Sequence, residues 1–264
     1  MNLKDLVKLS LAEDIGTGDI TTDSLDLART ITDAVIIAKE DGVIAGLHVF
    51  SEVFKQVDPD VNITFYKKDG DFVNNKEEIA KIEGDPASIL KSERVALNFI
   101  QRMSGIATKS REMTEAIEGT EAKLLDTRKT TPLLRQLEKY AVKTGGGFNH
   151  RFGLYDMIML KENHIRSAGS ITAAVEAVTK HNCSYKIEVE VTTLEELDEA
   201  VLAKVNRVML DNMSLEDMST AVAKYKGQVE LEASGNVTLK TIREIAQTGV
   251  DFISMELLLI LINH

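Results

Sequence analysis

Lys186-Ile187-Glu188-Val189-Glu190-Val191 runs straight into Thr193-Leu194-Glu195-Glu196, and Arg207-Val208-Met209-Leu210 into Ser214-Leu215-Glu216-Asp217. Each pair reads as a strand followed by a capped helix start, in which the hydroxyl accepts from the amide three residues on and the acid there reaches back. Similar β-like runs occur at 122–125, 157–160, 229–231 and 252–255, and the last four of the series recur about every twenty residues. That is the rhythm of βα units, and Val208-Met209-Leu210 suits a parallel strand buried on both faces. Thr131-Pro132 is expected to start a further helix that Gly145 closes. An α/β barrel over 105–264 follows.

The first hundred residues lack this rhythm. Ala34-Val35-Ile36-Ile37-Ala38 and Val61-Asn62-Ile63-Thr64-Phe65 read as strands, with turn signals at Asp41-Gly42 and Asp69-Gly70. Strands in runs, with helices on either side, imply a separate α+β domain over 1–104. A helix over 92–103 puts Val95, Phe99, Ile100 and Met103 on one face and Arg94, Asn98, Gln101 and Arg102 on the other. Such a stripe is ordinarily wet surface; the sharper reading is a ligand contact made across a subunit interface.

The chain of 264 residues has a formal charge of -11, which argues against general nucleic-acid binding. Cys183 is its only cysteine, excluding an intramolecular disulfide and fitting a reducing compartment. The start Met1-Asn2-Leu3-Lys4-Asp5 lacks a signal-peptide core, and no apolar run nears the roughly 20 residues that span a bilayer, so a cytoplasmic protein is expected.

Against this acidic background, Arg128, Lys129, His150, Arg151, Lys161 and His164 fall within about forty residues. Barrel active sites gather at the C-terminal ends of strands. Arg128 and Lys129 follow the first barrel strand, Lys161 the second, Glu190 and Asp211 the next two, and Ser234-Gly235 the fifth. Singly, each could be a rim salt bridge; together they imply two subsites. Arg128, Lys129, His150, Arg151 and Lys161 suit a multiply charged carboxylic acid, because guanidinium meets carboxylate bidentately. Glu190 and Asp211 suit sugar hydroxyls and Mg²⁺, a hard ion that takes oxygen ligands. His150 is read as a hydrogen-bond donor to the anion. No zinc spacing occurs, and Gly16-Thr17-Gly18 and Gly145-Gly146-Gly147 read as turns.

Five stretches carry a family resemblance: 13–22 (EDIGTGDITT), 93–98 (ERVALN), 104–108 (SGIAT), 126–130 (DTRKT) and 160–164 (LKENH). Together they resemble quinolinate phosphoribosyltransferase, the carboxylating nicotinate-nucleotide pyrophosphorylase. The resemblance implies an N-terminal α/β sandwich and an open α/β barrel of the type II phosphoribosyltransferase kind. It further implies at least a homodimer in which Arg94 visits the neighbouring site. Arg128, His150, Arg151 and Lys161 would bind the two carboxylates of quinolinate, with Lys129 between it and 5-phosphoribosyl 1-pyrophosphate. Glu190 and Asp211 would engage ribose and Mg²⁺. Ser234, Gly235 and Asn236 would receive the 5-phosphate, aided by amides at a helix N-terminus. Lys129, Glu190 and Asp211 are the expected catalytic residues.

The C-terminus departs from the family pattern. Gly-Ala-Leu-Thr-His-Ser is expected after the last strand, whereas this chain has Met255-Glu256-Leu257-Leu258-Leu259-Ile260-Leu261. Loss of one G from ATG GGA GCT CTT ACT CAT TCT yields this reading, so a one-base frameshift is the hypothesis; an intact reading frame for this tail, with no downstream remnant, would refute it. Glu256 near the 5-phosphate would repel it, whereas a tail in which Leu257 to Leu261 turns away as a capping strand or helix would leave that subsite open. Two competing readings are a pyrophosphorylase-like relative of molybdenum uptake and a catalytically silent binding or assembly protein.

Overall fold

A computed structural model describes residues 2–25, 30–181 and 184–255, so Cys183 and the tail from Glu256 lie outside the described residues. The elements of the first stretch are α1 (Leu3–Ile15), α2 (Ile20–Asp23), β1 (Thr32–Ile37), β2 (Gly42–Val43), α3 (Leu47–Val57), β3 (Asn62–Phe65), β4 (Phe72–Val73), β5 (Glu78–Gly84) and α4 (Pro86–Ala116). Then come β6 (Lys123–Leu125), α5 (Arg135–Thr144), β7 (Ile158–Leu160), α6 (Glu162–Ala168), α7 (Ile171–His181) and β8 (Ile187–Val191). The last are α8 (Leu194–Leu202), β9 (Arg207–Asp211), α9 (Leu215–Tyr225), β10 (Glu230–Ser234), α10 (Ile242–Gln247) and β11 (Phe252–Ser254).

Two compact units result, one from residues up to Lys109 with Thr131–Gly145, the other from Ser110–Thr130 and residues from Gly146 onward. The expected boundary at 104/105 and the division at Lys109/Ser110 both fall inside α4.

In the first unit an antiparallel sheet of order β1-β5-β3 forms because β5 alternates, burying Ile82 and Ala80 between its neighbours. Helix α3 buries Val49, Phe50, Val53 and Phe54, and Phe50 packs its ring 5.0 Å from Phe54. On α4, Val95, Phe99, Ile100 and Met103 are buried while Arg94, Asn98 and Gln101 are exposed, as the amphipathic reading expects. Arg102 departs from that wet stripe. Its guanidinium pairs with Glu138, which is 1% exposed, through a 2.8 Å Nε bond and a second contact from Nη2.

The second unit holds six strands in the order β6-β11-β10-β9-β8-β7, parallel in every pair. All six expected strands are present. Strands β6 and β7 are the two edges, which leaves the sheet open among the described residues. Thr193 Oγ1 accepts from the Glu196 amide (3.2 Å) and Ser214 Oγ from the Asp217 amide (3.1 Å), so the helix starts are where the sequence put them. Their return bonds differ: Glu196 takes the Thr192 amide (2.8 Å) and Asp217 the Ser214 hydroxyl (2.7 Å).

The helix expected at Thr131-Pro132 begins later, at Arg135. Residues 131–134 form a turn closed by Leu134 N–H to Thr131 O (3.1 Å), with Leu133 left-handed at φ 68°. Glu138 Oε2 takes the Thr131 amide (3.1 Å), which draws this segment out of the helical path. Gly145 does cap α5, but at φ -76°; the left-handed turn falls on Gly146, at φ 101°.

Candidate active site

Period-two alternation gives one face of the parallel sheet an unusual composition. Register aligns Met159, Glu188, Arg207 and Glu230 in one row, and Glu190, Met209, Glu232, Phe252 and Lys123 in the next. The opposite face carries Val189, Val191, Val208, Leu210, Leu231 and Ala233, all buried. A cavity of about 850 Å³ opens on the charged face, near the upper end of the range for small-molecule sites (about 300–1,000 Å³).

Its cationic wall is made by two chain segments that run side by side. Phe148 N–H bonds Leu124 O (2.8 Å), Asp126 N–H bonds Phe148 O (3.1 Å), and His150 N–H bonds the buried Asp126 carboxylate (2.9 Å). This pairing draws Arg128 and Lys129, just past β6, up to His150 and Arg151. The Arg151 guanidinium donates to Met157 O (3.0 Å). Burial, and then the charge of Arg128, lower its pKa, so two guanidinium groups crowd one half-buried region.

Beneath them lies a carboxylate pair that is 0% exposed. His150 Nε2 is 3.0 Å from Glu188 Oε2 and 3.5 Å from Glu232 Oε2, close enough to pair as ions although not aligned as hydrogen bonds. Arg207 binds Glu232 (2.9 Å) and Glu230 (2.9 Å) and stacks 3.9 Å from the Phe252 ring centre. Burial opposes charge on the His150 ring, but the two carboxylates more than offset it and push its pKa up to about 9. Burial raises the Glu188 pKa; for Glu232 burial is outweighed by His150 and Arg207, and the value falls. His150 Nδ1 accepts from the Arg151 amide (2.7 Å), a contact that belongs to the ring protonated on Nε2 alone. That contact and the raised pKa pull in opposite directions. Two carboxylates facing one buried nitrogen keep a proton on Nε2, and the Arg151 amide opposes a second proton on Nδ1.

His150, Glu188 and Glu232 have the composition of a metal site, with ligand atoms within 4.8 Å of one another. Arg207 argues against a divalent ion there, since its guanidinium already neutralises Glu232. Glu190 and Asp211, one residue from or at the ends of β8 and β9, line the cavity and offer the oxygen donors that Mg²⁺ prefers. Lys161 Nζ pairs with Glu190, so the two expected subsites adjoin.

Ser234, Gly235 and Asn236 also line the cavity. Gly235 is left-handed (φ 91°), as are Asn236 (φ 53°) and Asn212 (φ 55°), and Asn236 Nδ2 donates to Asn212 Oδ1 (2.9 Å). Only glycine fits at 235, because a Cβ there would overlap the Asn212 amide. The helix N-terminus expected beside this turn is farther along the chain: α10 starts at Ile242, after a turn in which the Thr238 amide bonds Thr241 Oγ1 (2.9 Å).

Ten of the eleven sequence-derived site residues thus line one cavity; Arg94, exposed on α4 in the first unit, is not among its lining residues. His164 serves its own helix, its Nδ1 accepting from the Lys161 amide (3.0 Å). Glu188, Arg207, Asn212 and Glu232 were missed. The alternation in Ile187-Glu188-Val189-Glu190-Val191 and Glu230-Leu231-Glu232-Ala233-Ser234 was the signal that could have shown a charged interior.

Residues 19–104 match the family described as quinolinate phosphoribosyl transferase, N-terminal domain, and residues 106–261 its C-terminal domain. A probable nicotinate-nucleotide pyrophosphorylase (carboxylating) of Bacillus subtilis (strain 168) is 43% identical over 256 residues, covering 97% of this chain and 88% of that one. The chloroplastic nicotinate-nucleotide pyrophosphorylase (carboxylating) of Arabidopsis thaliana is 44% identical over 273 residues, covering 96% and 78%. Among solved structures, the nicotinate-nucleotide pyrophosphorylase from Francisella tularensis superposes with a TM-score of 0.96 at 46% identity, covering 99% of this chain and 92% of that one.

Proposed function

The chain belongs to the quinolinate phosphoribosyltransferase family, and from that premise we propose that it transfers phosphoribosyl from 5-phosphoribosyl 1-pyrophosphate to quinolinate, giving nicotinate mononucleotide, pyrophosphate and CO₂. The observation that carries this reading is the crowding of Arg128 and Arg151 beside Lys129 and Lys161 in a protein of net charge -11, at one cavity with Glu190 and Asp211. Crowded guanidiniums are relieved by an anion with two carboxylates, which each can grip by two parallel bonds.

The diacid held there presents its ring nitrogen to the sugar, and fixed geometry replaces a chance encounter. As pyrophosphate departs, positive charge grows on the anomeric carbon next to Glu190 and Asp211, whose fixed negative charge stabilises it. Glu190 and Asp211 would hold Mg²⁺ together with phosphate oxygens of the donor, and the ion would neutralise charge on the departing pyrophosphate. Lys129, adjacent to Arg128, stands between the two substrates. The 5-phosphate is received at the Ser234-Gly235-Asn236 turn, where a side-chain-free residue lets backbone amides approach the anion.

The working assembly is proposed to be a homodimer or larger, with Arg94 reaching a neighbouring copy, and its place the cytoplasm. The exposure of Arg94, and of Phe152, Leu154 and Tyr155 on the loop after Arg151, supports an interface. Incubation with quinolinate, phosphoribosyl pyrophosphate and Mg²⁺ should release CO₂ and nicotinate mononucleotide in equal amounts. Binding of quinolinate without product would point to a silent binding protein, and no binding at all would remove the reading.

A further inference from the structure

Glu188 is a fully buried acid and has no part in the chemistry just described. Its neighbours suggest a purpose. One side of the His150 ring faces Glu188 Oε2 at 3.0 Å and Glu232 Oε2 at 3.5 Å, while the other accepts from the Arg151 amide at 2.7 Å. The backbone of His150 is itself tied to Asp126, two residues before Arg128 (2.9 Å). The ring is therefore a strut between the sheet and the peptide that carries Arg151. Arg207, at 2.9 Å from Glu232, balances one of the two acids, and Glu188 is the nearer of the two to the imidazole.

We propose that Glu188 is a positioning residue for quinolinate binding: it holds the His150 ring with its proton on Nε2, and the ring in turn sets the Arg151 end of the diacid pocket. Its action is through His150 and needs no contact with substrate. Glu232 is held by its ion pair with Arg207. The assignment rests on the proposed function, since it names what the pocket binds.

The test compares Glu188→Gln and Glu188→Ala with the wild-type protein. A glutamine oxygen can still face Nε2–H, whereas alanine leaves the ring unsupported. Expected are a quinolinate KM within about threefold of wild type for Glu188→Gln and raised at least about tenfold for Glu188→Ala, with the phosphoribosyl pyrophosphate KM within about twofold in both. Equal rises in both KM values, or an unchanged quinolinate KM in Glu188→Ala, overturns the proposal. Because the alanine variant leaves a buried gap, a second measurement uses the intact protein: ¹⁵N NMR of its histidines, with His150 assigned from a His150→Asn sample. A proton on Nε2 with Nδ1 bare supports the proposal; a proton on Nδ1, whether or not Nε2 also carries one, overturns it. That spectrum is read whether or not the wild type turns over quinolinate, so failure of the functional reading is distinguishable from failure of this one.

Discussion

Gly235→Ala is the sharpest perturbation of the end of the cavity proposed to take the donor. Residue 235 is held at φ 91°, where a side chain costs about 1–3 kcal/mol. The new Cβ would also overlap the Asn212 side chain, coming within 2.5 Å of its Cγ and 2.9 Å of its Nδ2. Asn212 must then swing away and give up the 2.9 Å bond from Asn236, worth about 0.5–1.5 kcal/mol and at the low end because the pair is exposed. The total is about 2–3 kcal/mol. If it is spread over the fold, Tm falls roughly 4–12 °C, at about 2–4 °C per kcal/mol for a domain of this size. If it is expressed instead in the shape of the turn proposed to receive the 5-phosphate, affinity for phosphoribosyl pyrophosphate falls about 30-fold or more, while quinolinate affinity measured alone stays near wild type. Calorimetry of unfolding and of binding to each ligand separates the two. A Gly235→Ala protein with wild-type Tm and wild-type donor affinity would refute the reasoning.

Other consequences are more direct. Arg128→Ala and Arg151→Ala should each raise the quinolinate KM about 10- to 100-fold, from the loss of charge-assisted bonds worth about 1.5–3 kcal/mol, with the donor KM changing less; steady-state kinetics decides. Arg102→Met strands the buried Glu138 carboxylate and should cost about 3 kcal/mol, seen as a Tm lower by roughly 6–12 °C, whereas Arg94→Met should leave Tm unchanged. Burial pushes the Asp69 pKa up, but hydrogen bonds from His48, Tyr140 and the Leu47 and Gly46 amides overcome it and hold the carboxyl low. A depressed carboxyl stabilises the fold above its unfolded pKa, about 3.9, and loses that contribution as pH falls through the folded value. Urea midpoints of wild type and Asp69→Asn should therefore differ most above about pH 5 and converge in acid. Chelation of Mg²⁺ should stop turnover without lowering Tm, and added Mg²⁺ should restore it.

Six strand positions and two helix caps could be read from the chain because they are local: a short apolar run followed within a few residues by Thr193 or Ser214 carries its own instructions within about ten residues. The strand-end rule then picked out Arg128, Lys161, Glu190, Asp211 and Ser234 without any knowledge of which strands pair. Where the cations meet was a different matter. The approach of Arg151 to Arg128 depends on hydrogen bonds between 124–126 and 148–150, and no periodicity spans that gap. The start of α5 was misplaced for the same reason, since Glu138 and Arg102, 36 residues apart, claim the turn before it. Glu188, Arg207 and Glu232 lie on three different strands, and their mutual neutralisation depends on register. A strand's alternation says that every second side chain shares a face; only the folded sheet says which charges on that face stand close enough to be buried together.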